Sequence, residues 1–319
     1  MDGPATDNSK VPGVERQGSR STRRVPWSKR RRESVAGFLF IAPDAIGLAL
    51  FAAFPMLLAL GLGFYEVDGF GGYSFAGLAN YRRMLLDPLF LQSLRVTLLY
   101  VLMLVPSLYV VGLGLALLVQ RRSRIAGLLR SLFFLPQMVS LVVVALIWQV
   151  LLVDKIGPVN RFFAGLGLGG LSWLGDPRLA LVSVVVVSLW FLMSFYMLIF
   201  LGGLQDIPTE YYEAARLDGA SPARAFFYIT LPLLRPTSFF VLLVATVTAV
   251  AGGQAFDLIY VMTKGGPANS TELTIYYIYQ QAFQYNEFGY AGAMASMLVV
   301  ILLALTLLLF SVTRGGRFE

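Results

Sequence analysis

The sequence predicts an all-α membrane protein that crosses the bilayer six times. Three observations predict it. Of 319 residues, 57% are hydrophobic and only 13% are charged, about half the ~25% charged share of a soluble domain. Mean hydropathy is +0.71, and the apolar residues gather into long runs, which mark transmembrane helices once a run reaches ~18 residues. Basic residues divide unequally between alternate connecting segments, as they do in membrane proteins of fixed orientation. This composition excludes a soluble enzyme, an ordinary soluble binding module and, beyond the N-terminus, a disordered chain.

Residues 1–32 carry nine Lys or Arg. No short apolar core followed by small residues makes this stretch a signal peptide, and we expect a mostly disordered basic tail. A basic run suits nucleic acid. An apolar run starts a few residues later, however, so the expected partner is anionic membrane lipid and not nucleic acid. Residues 33–319 are expected to form the transmembrane domain. Its six spans run from about Gly37 to Phe64, Leu94 to Val119, Gly127 to Val153, Leu179 to Gly203, Pro236 to Val261 and Ala291 to Val312. Each is long enough to cross ~30 Å of hydrocarbon at ~1.5 Å per residue.

An even number of spans puts both termini on one side. That side holds the nine basic residues of the tail, four after the second span (Arg121, Arg122, Arg124, Arg130), three after the fourth (Arg216, Arg224, Arg235) and two at the C-terminus. The other side holds seven. The bias places both termini, and the loop of about 204–236, in the cytoplasm. The loops near 66–93, 154–178 and 262–290 then face outward.

The chemistry is bounded by what is missing. There is no Cys and no His, which removes thiol chemistry, the commonest metal ligands and the commonest general base. No metal site and no catalytic residues are expected. No Lys follows a Gly, so a P-loop is absent, and any ATP-driven role needs another subunit.

The cytoplasmic loop reads LQDIPTEYYEAARLDGASPARAFFYITLPLLRP. Pro208 suits the first turn of a helix, and Glu210 and Glu213 favour its dipole. Gly219 stops the helix, and Ser221-Pro222 starts another. The spacing predicts a short amphipathic helix, a turn at Gly219 and a second helix leading back to the membrane. Such a small-residue knob suits a groove on another protein.

Glu213-Ala214-Ala215, then Gly219, then Ile229-Thr230-Leu231-Pro232 resembles the EAA motif of importer permeases of the ATP-binding-cassette class, with matching spacing. Phe256 to Tyr260, Thr263 to Pro267, Tyr277 to Phe283, Gly77 to Tyr81 and Trp173 to Pro177 resemble the carbohydrate branch, closest to the first permease of maltose- and glycerol-phosphate-type systems. The resemblance covers about 35–313. It implies a six-helix type I importer permease with a cytoplasmic coupling helix. It also implies a second permease subunit, an ATPase dimer carrying ATP and Mg, and an extracytoplasmic solute-binding protein that delivers a small sugar. The chain itself would hold no cofactor and lie in the bacterial cytoplasmic (inner) membrane. Glu213, Ala214, Ala215, Asp218, Gly219, Leu231 and Pro232 would couple it to the ATPase.

A sugar site needs hydrogen-bonding groups and an aromatic face inside the bundle. Polar residues within the spans are few. Gln137 follows Pro136 early in span three, with Ser140 one turn on. Ser188, Phe191, Leu192 and Phe195 share one face of span four. Thr248, Gly252, Gln254 and Ala255 lie on span five, where Gly252-Gly253 loosens the helix. Set against the maltose-type permease, Gln137, Leu141, Ser188, Phe191, Leu192, Phe195, Thr248, Gly252 and Ala255 fall on sugar-contacting positions. Other roles stay open at each: Ser and Thr in membrane helices also bond backbone carbonyls, and Phe also packs. A secondary transporter, an intramembrane enzyme and a channel are the rival classes. No internal repeat, no Asp, Glu or Lys at the span centres and no His, Cys or paired carboxylate supports them. Within the leading class, a solute such as glycerol phosphate is the alternative to a sugar.

Overall fold

A computed structural model describes residue 3 and residues 27–67, 72–121, 123–154, 156–167 and 170–312. The basic tail before Trp27, Gly3 apart, and residues 313–319 lie outside the described residues. Two compact units divide at Met56 and Leu57.

The described part of the first unit from Trp27 on is helical. Helix α1 (Trp27–Leu48) passes through a π-helical turn, Ala49–Ala53, into α2 (Phe54–Leu62). The turn has a local cause. Pro55 has no N–H to give Phe51, and its ring crowds that carbonyl, so the ladder widens one turn earlier. The same arrangement recurs at Phe226–Thr230, a π turn ahead of Pro232.

The second unit takes in the end of α2 and then a two-stranded ribbon, β1 (Tyr65–Val67) antiparallel to β2 (Tyr73–Phe75), with Tyr65 opposite Phe75. Nothing in the alternating-loop reading of 66–93 anticipates it. Asn80 secures it: its buried side-chain amide donates to the carbonyls of Gly63 at 3.1 Å and Tyr65 at 2.9 Å. Helix α3 (Ala79–Leu86) leads to Asp87, whose carboxylate accepts from the Leu89 N–H and caps α4 (Pro88–Val119). Then come α5 (Arg124–Phe134), a 3₁₀ turn at Leu135–Met138, α6 (Leu141–Leu151) and α7 (Pro158–Gly165). Helix α8 (Ala180–Gln205) packs along α4 and forms most of the core with it. After the loop helices α9 (Thr209–Leu217), α10 (Pro222–Ala225) and α11 (Leu231–Leu233) come α12 (Arg235–Ala251), α13 (Gly253–Met262), α14 (Thr274–Tyr279) and α15 (Phe288–Val312).

Among the described residues, four helices are long and apolar enough to cross a membrane: Ser34–Leu62, Pro88–Val119, Ala180–Gln205 and Phe288–Ser311. They coincide with the first, second, fourth and sixth expected spans. The third and fifth need correction. The third is not one rod, because Arg124–Met138 meets Leu141–Leu151 at 96°. Pro136 holds a 3₁₀ turn, and Val139 is extended at φ −98° and ψ 144°. The fifth is broken at Gly252, extended at φ −70° and ψ 137° between α12 and α13. Its N-terminal end also bends, by 65° between Pro222–Leu233 and Arg235–Ala251. Counting each bent pair as one crossing restores six.

Candidate functional site

The loop of about 204–236 folds as its residues dictate. Helix α9 begins at Thr209, with Pro208 as its cap rather than in its first turn. It ends on Gly219 at φ +75°, a conformation that costs glycine little and other residues more. The Ala220 N–H donates to the Ala215 carbonyl at 2.8 Å and the Gly219 N–H to that of Arg216 at 3.1 Å, the paired bonds of a Schellman ending. The Ser221 hydroxyl accepts from the Arg224 N–H and starts α10.

The loop is held at its base and free at its tip. Ile207 and Leu234, one at each end, are buried in the core. Gly203 lies so close to Thr237 that a Cβ there would meet the threonine Oγ1 at 2.3 Å, so α8 and α12 touch beneath the loop. The Tyr212 hydroxyl meets Thr230 Oγ1 at 2.9 Å and pins α9 to the returning segment. On the other side Glu213, Ala214, Asp218 and Gly219 are exposed, Ala215, Leu231 and Pro232 are half-buried, and Leu217 is 90% exposed.

The candidate substrate residues separate into two groups. Ser188, Phe191, Leu192, Leu141 and Ala255 are enclosed within this chain. The Ser188 hydroxyl donates to the Val184 carbonyl and meets the Tyr100 hydroxyl, each at 2.8 Å, so it joins α8 to α4. Ser140 is exposed, Phe195 is 44% exposed, and Gln137, Thr248, Gly252 and Gln254 are half-buried. Gln137 Nε2 donates to the Phe191 carbonyl at 2.7 Å, which brings those two candidates together. Thr248 lies against the Tyr196 hydroxyl.

Most of the open group sits at the two helix breaks. Gln137 and Ser140 flank the bend before α6, and Thr248, Gly252 and Gln254 flank the break before α13, which packs on α6. A broken helix leaves backbone groups without intrahelical partners, and in a membrane that is tolerated where the chain is buried or lines a polar cavity. Gly252 is required there, since a Cβ would stand 2.2 Å from the Thr248 carbonyl oxygen. Among the described residues no cluster of His, Cys, Asp or Glu suits a metal ion.

The segments that precede α4 and flank α14 are tied together by polar contacts. Asp87 Oδ2 accepts from the hydroxyls of Tyr277 at 2.7 Å and Tyr290 at 2.6 Å. Burial works against its charge, but the two tyrosines and the backbone N–H groups at the start of α4 hold its carboxyl below the ordinary value. Arg83 pairs with Glu287 and lies 4.1 Å over the Tyr290 ring. The turn before α14 is closed by Thr271, whose Oγ1 donates to the Gly266 carbonyl and meets Thr263 Oγ1, both at 2.7 Å. Beside it Glu272 is buried, with Oε1 lacking a partner among the described residues, and burial pushes its carboxyl up to about 7. A polar cavity of about 510 Å³, lined by Arg83, Asn269, Glu272, Tyr277 and Gln281, adjoins it. Sequence reasoning missed Glu272 and Asp87; an isolated acid in a polar outer loop carries no spacing signal.

Residues 109–314 match the family described as the inner membrane component of binding-protein-dependent transport systems. The chain is 38% identical over 286 residues to a probable ABC transporter permease protein, YesP, of Bacillus subtilis, covering 88% of this chain and 91% of that one. It is 35% identical to the sn-glycerol-3-phosphate transport system permease protein UgpA of Agrobacterium fabrum, covering 84% and 91%. Its fold is similar to a chain of a bacterial alginate ABC transporter solved in complex with an alginate pentasaccharide-bound periplasmic protein, with a TM-score of 0.78 at 21% identity, covering 91% and 97%.

Proposed function

Because the chain belongs to the family of binding-protein-dependent transport system inner membrane components, we propose that it is the transmembrane subunit of an ATP-driven sugar importer. It is a multi-pass membrane permease and not an enzyme. In our reading it forms the pathway with a second permease, and an external binding protein delivers the solute. A separate ATPase dimer, holding ATP and Mg, drives the cycle by favouring one permease state over the other. The chain lies in the bacterial cytoplasmic membrane with both termini in the cytoplasm, as the basic-residue bias supports.

One observation carries the coupling role: α9, fixed at its base by Tyr212, Ile207 and Leu234, presents Glu213 and the bare Leu217 outward. With no Gly-Lys pair in the chain, that surface is where an ATPase would dock. The pathway wall is assigned to the helix breaks, with Gln137, Ser140, Thr248 and Gln254 as hydrogen-bonding groups and Phe195 as the aromatic face. A sugar is favoured because the alginate importer and the glycerol-phosphate permease both take oxygen-rich solutes. A polyol phosphate is the second reading, supported by the likeness to UgpA.

The test is purification of the tagged chain in mild detergent, with every co-eluting chain identified by mass spectrometry. A second permease and a P-loop ATPase are expected, and Glu213→Ala with Gly219→Asp should deplete the ATPase. A chain that elutes alone and still moves solute into liposomes without ATP would overturn the reading.

A further inference from the structure

A cavity of about 620 Å³ lies between α4 and the start of α8, closed at one end by Gln92, Pro177 and, from the turn before α14, Ser270, and the rest of its lining is of two kinds. Leu91, Val96, Leu99 and Met103 on α4, with Leu181 and Val182 on α8, form an apolar floor. Arg95 on α4 and Arg178, two residues before α8, stand at its rim. Both arginines are exposed, and neither guanidinium has an ion pair or hydrogen bond among the described residues. The nearest acid in sequence, Asp176, accepts from the backbone N–H of Arg178. No carboxylate lines the cavity.

The dimensions match one half of a bilayer. The α4 lining runs from Leu91 to Met103, ~18 Å at ~1.5 Å per residue, and half of a ~30 Å hydrocarbon core is ~15 Å. Leu91, Arg95, Leu99 and Met103 follow at every fourth residue, so they make one stripe along the helix. Arg95 lies at the start of the apolar run of that span, where a long cationic side chain reaches for the headgroup layer. At that level the guanidinium meets the layer in which lipid phosphates lie. A second protein would cover the floor and still have to pair two cations. An anionic phospholipid satisfies floor and rim together.

We propose that this groove is a binding site for an anionic phospholipid, with the phosphate between Arg95 and Arg178 and one acyl chain along Leu99, Met103 and Val182. On the orientation proposed above, the lipid belongs to the outer leaflet. The assignment of the groove itself stands whichever solute the permease carries.

The experiment is native mass spectrometry of the full chain, with whatever subunits co-purify, titrated with phosphatidylglycerol, phosphatidylcholine or glycerol phosphate. Phosphatidylglycerol should be retained in preference to phosphatidylcholine, and any glycerol phosphate that binds should do so equally in Arg95→Gln with Arg178→Gln. Each basic residue near an anionic surface contributes about fivefold in affinity, so Arg95→Gln with Arg178→Gln should weaken retention about tenfold to thirtyfold. Arg82→Gln, an exposed outer cation away from the groove, should leave it unchanged and controls for net charge. Filling the floor with Leu99→Trp should weaken binding while both arginines remain. Equal retention of the two lipids, or of one lipid by wild type and the double variant, would overturn the site. Binding of glycerol phosphate as tight as that of the lipid, and lost in the double variant, would reduce it to an anion site without an acyl chain. A photo-crosslinker at Leu99 that captures a protein chain instead of lipid would overturn the occupant.

Discussion

Replacing Glu272 by Gln is expected to stabilise the protein above neutral pH and to change little in acid. Glu272 is 5% exposed, its Oε1 has no partner among the described residues, and a Cβ on Gly265 would press on its Oε2. Burial raises the carboxyl from its ordinary 4.5 to about 7. Below 4.5 folded and unfolded chains are both protonated at this site, and nothing is lost. As pH rises from 4.5 through about 7, the unfolded chain sheds a proton that the folded chain keeps, and stability falls. At ~1.4 kcal/mol per unit the ceiling is ~3 kcal/mol, and the water of the adjoining cavity screens this to roughly 1–3 kcal/mol. Gln keeps the shape and never ionises. Thermal unfolding in detergent should therefore separate the two proteins by roughly 2–8 °C at about pH 8 and by almost nothing at about pH 4. Parallel curves across that range, or a wild type that gains on Glu272→Gln as pH rises, would refute the reasoning.

Four further outcomes are expected. Gly289→Ala places a Cβ 1.9 Å from the Tyr65 carbonyl oxygen and should cost ~2–3 kcal/mol, seen as a lowered unfolding midpoint; an unchanged midpoint would argue against this close approach. Asp87→Asn should flatten the acid limb: the lowered carboxyl contributes stability above 3.8 that is lost as pH falls through its folded value, so wild type alone should weaken there, and identical acid profiles would sink the claim. Gly219→Val forces a β-branched residue to φ +75°, costs ~1–2 kcal/mol at the helix end, and should lower the ATPase yield in co-purification without changing the amount of permease recovered. Phe195→Ala should alter uptake kinetics by several-fold with assembly intact, whereas Ser188→Ala should act on stability by ~1 kcal/mol; the reverse pattern would move the pathway to the enclosed face.

Hydropathy located the four straight crossings because length and apolarity are all that a straight crossing requires. It could not see that Val139 is extended, because a bent pair and a rod have the same composition. Pro136 warned of a disturbance without giving its angle. At Gly252 the paired glycines gave the weakness, and the structure turns it into a full break. The turn at Gly219 was readable since only local chemistry sets it. The division between Ser188 and Phe195 was not, because α8 is apolar almost all round and its helical period leaves open which face meets α4. The role of Asn80 depends on carbonyls more than a dozen residues away, beyond the reach of any local pattern.

The contact between Gly203 and Thr237 makes α8 and α12 one joined piece at the foot of α9. Tyr212 and the buried Leu234 tie the loop that carries Leu217 to the same piece. On the coupling role proposed above, a load on that loop would turn the pair together, like a crank with a short handle. The arm runs along the 17 residues of α12, ~25 Å at ~1.5 Å each. At its far end α12 opens at Gly252, whose N–H still donates to the Thr248 carbonyl at 2.9 Å while its own torsions are extended. On the coupling role proposed above, a displacement put in at α9 would reach this opening, beside Thr248 and Gln254, so the residues proposed to meet a solute would be the first that the stroke rearranges.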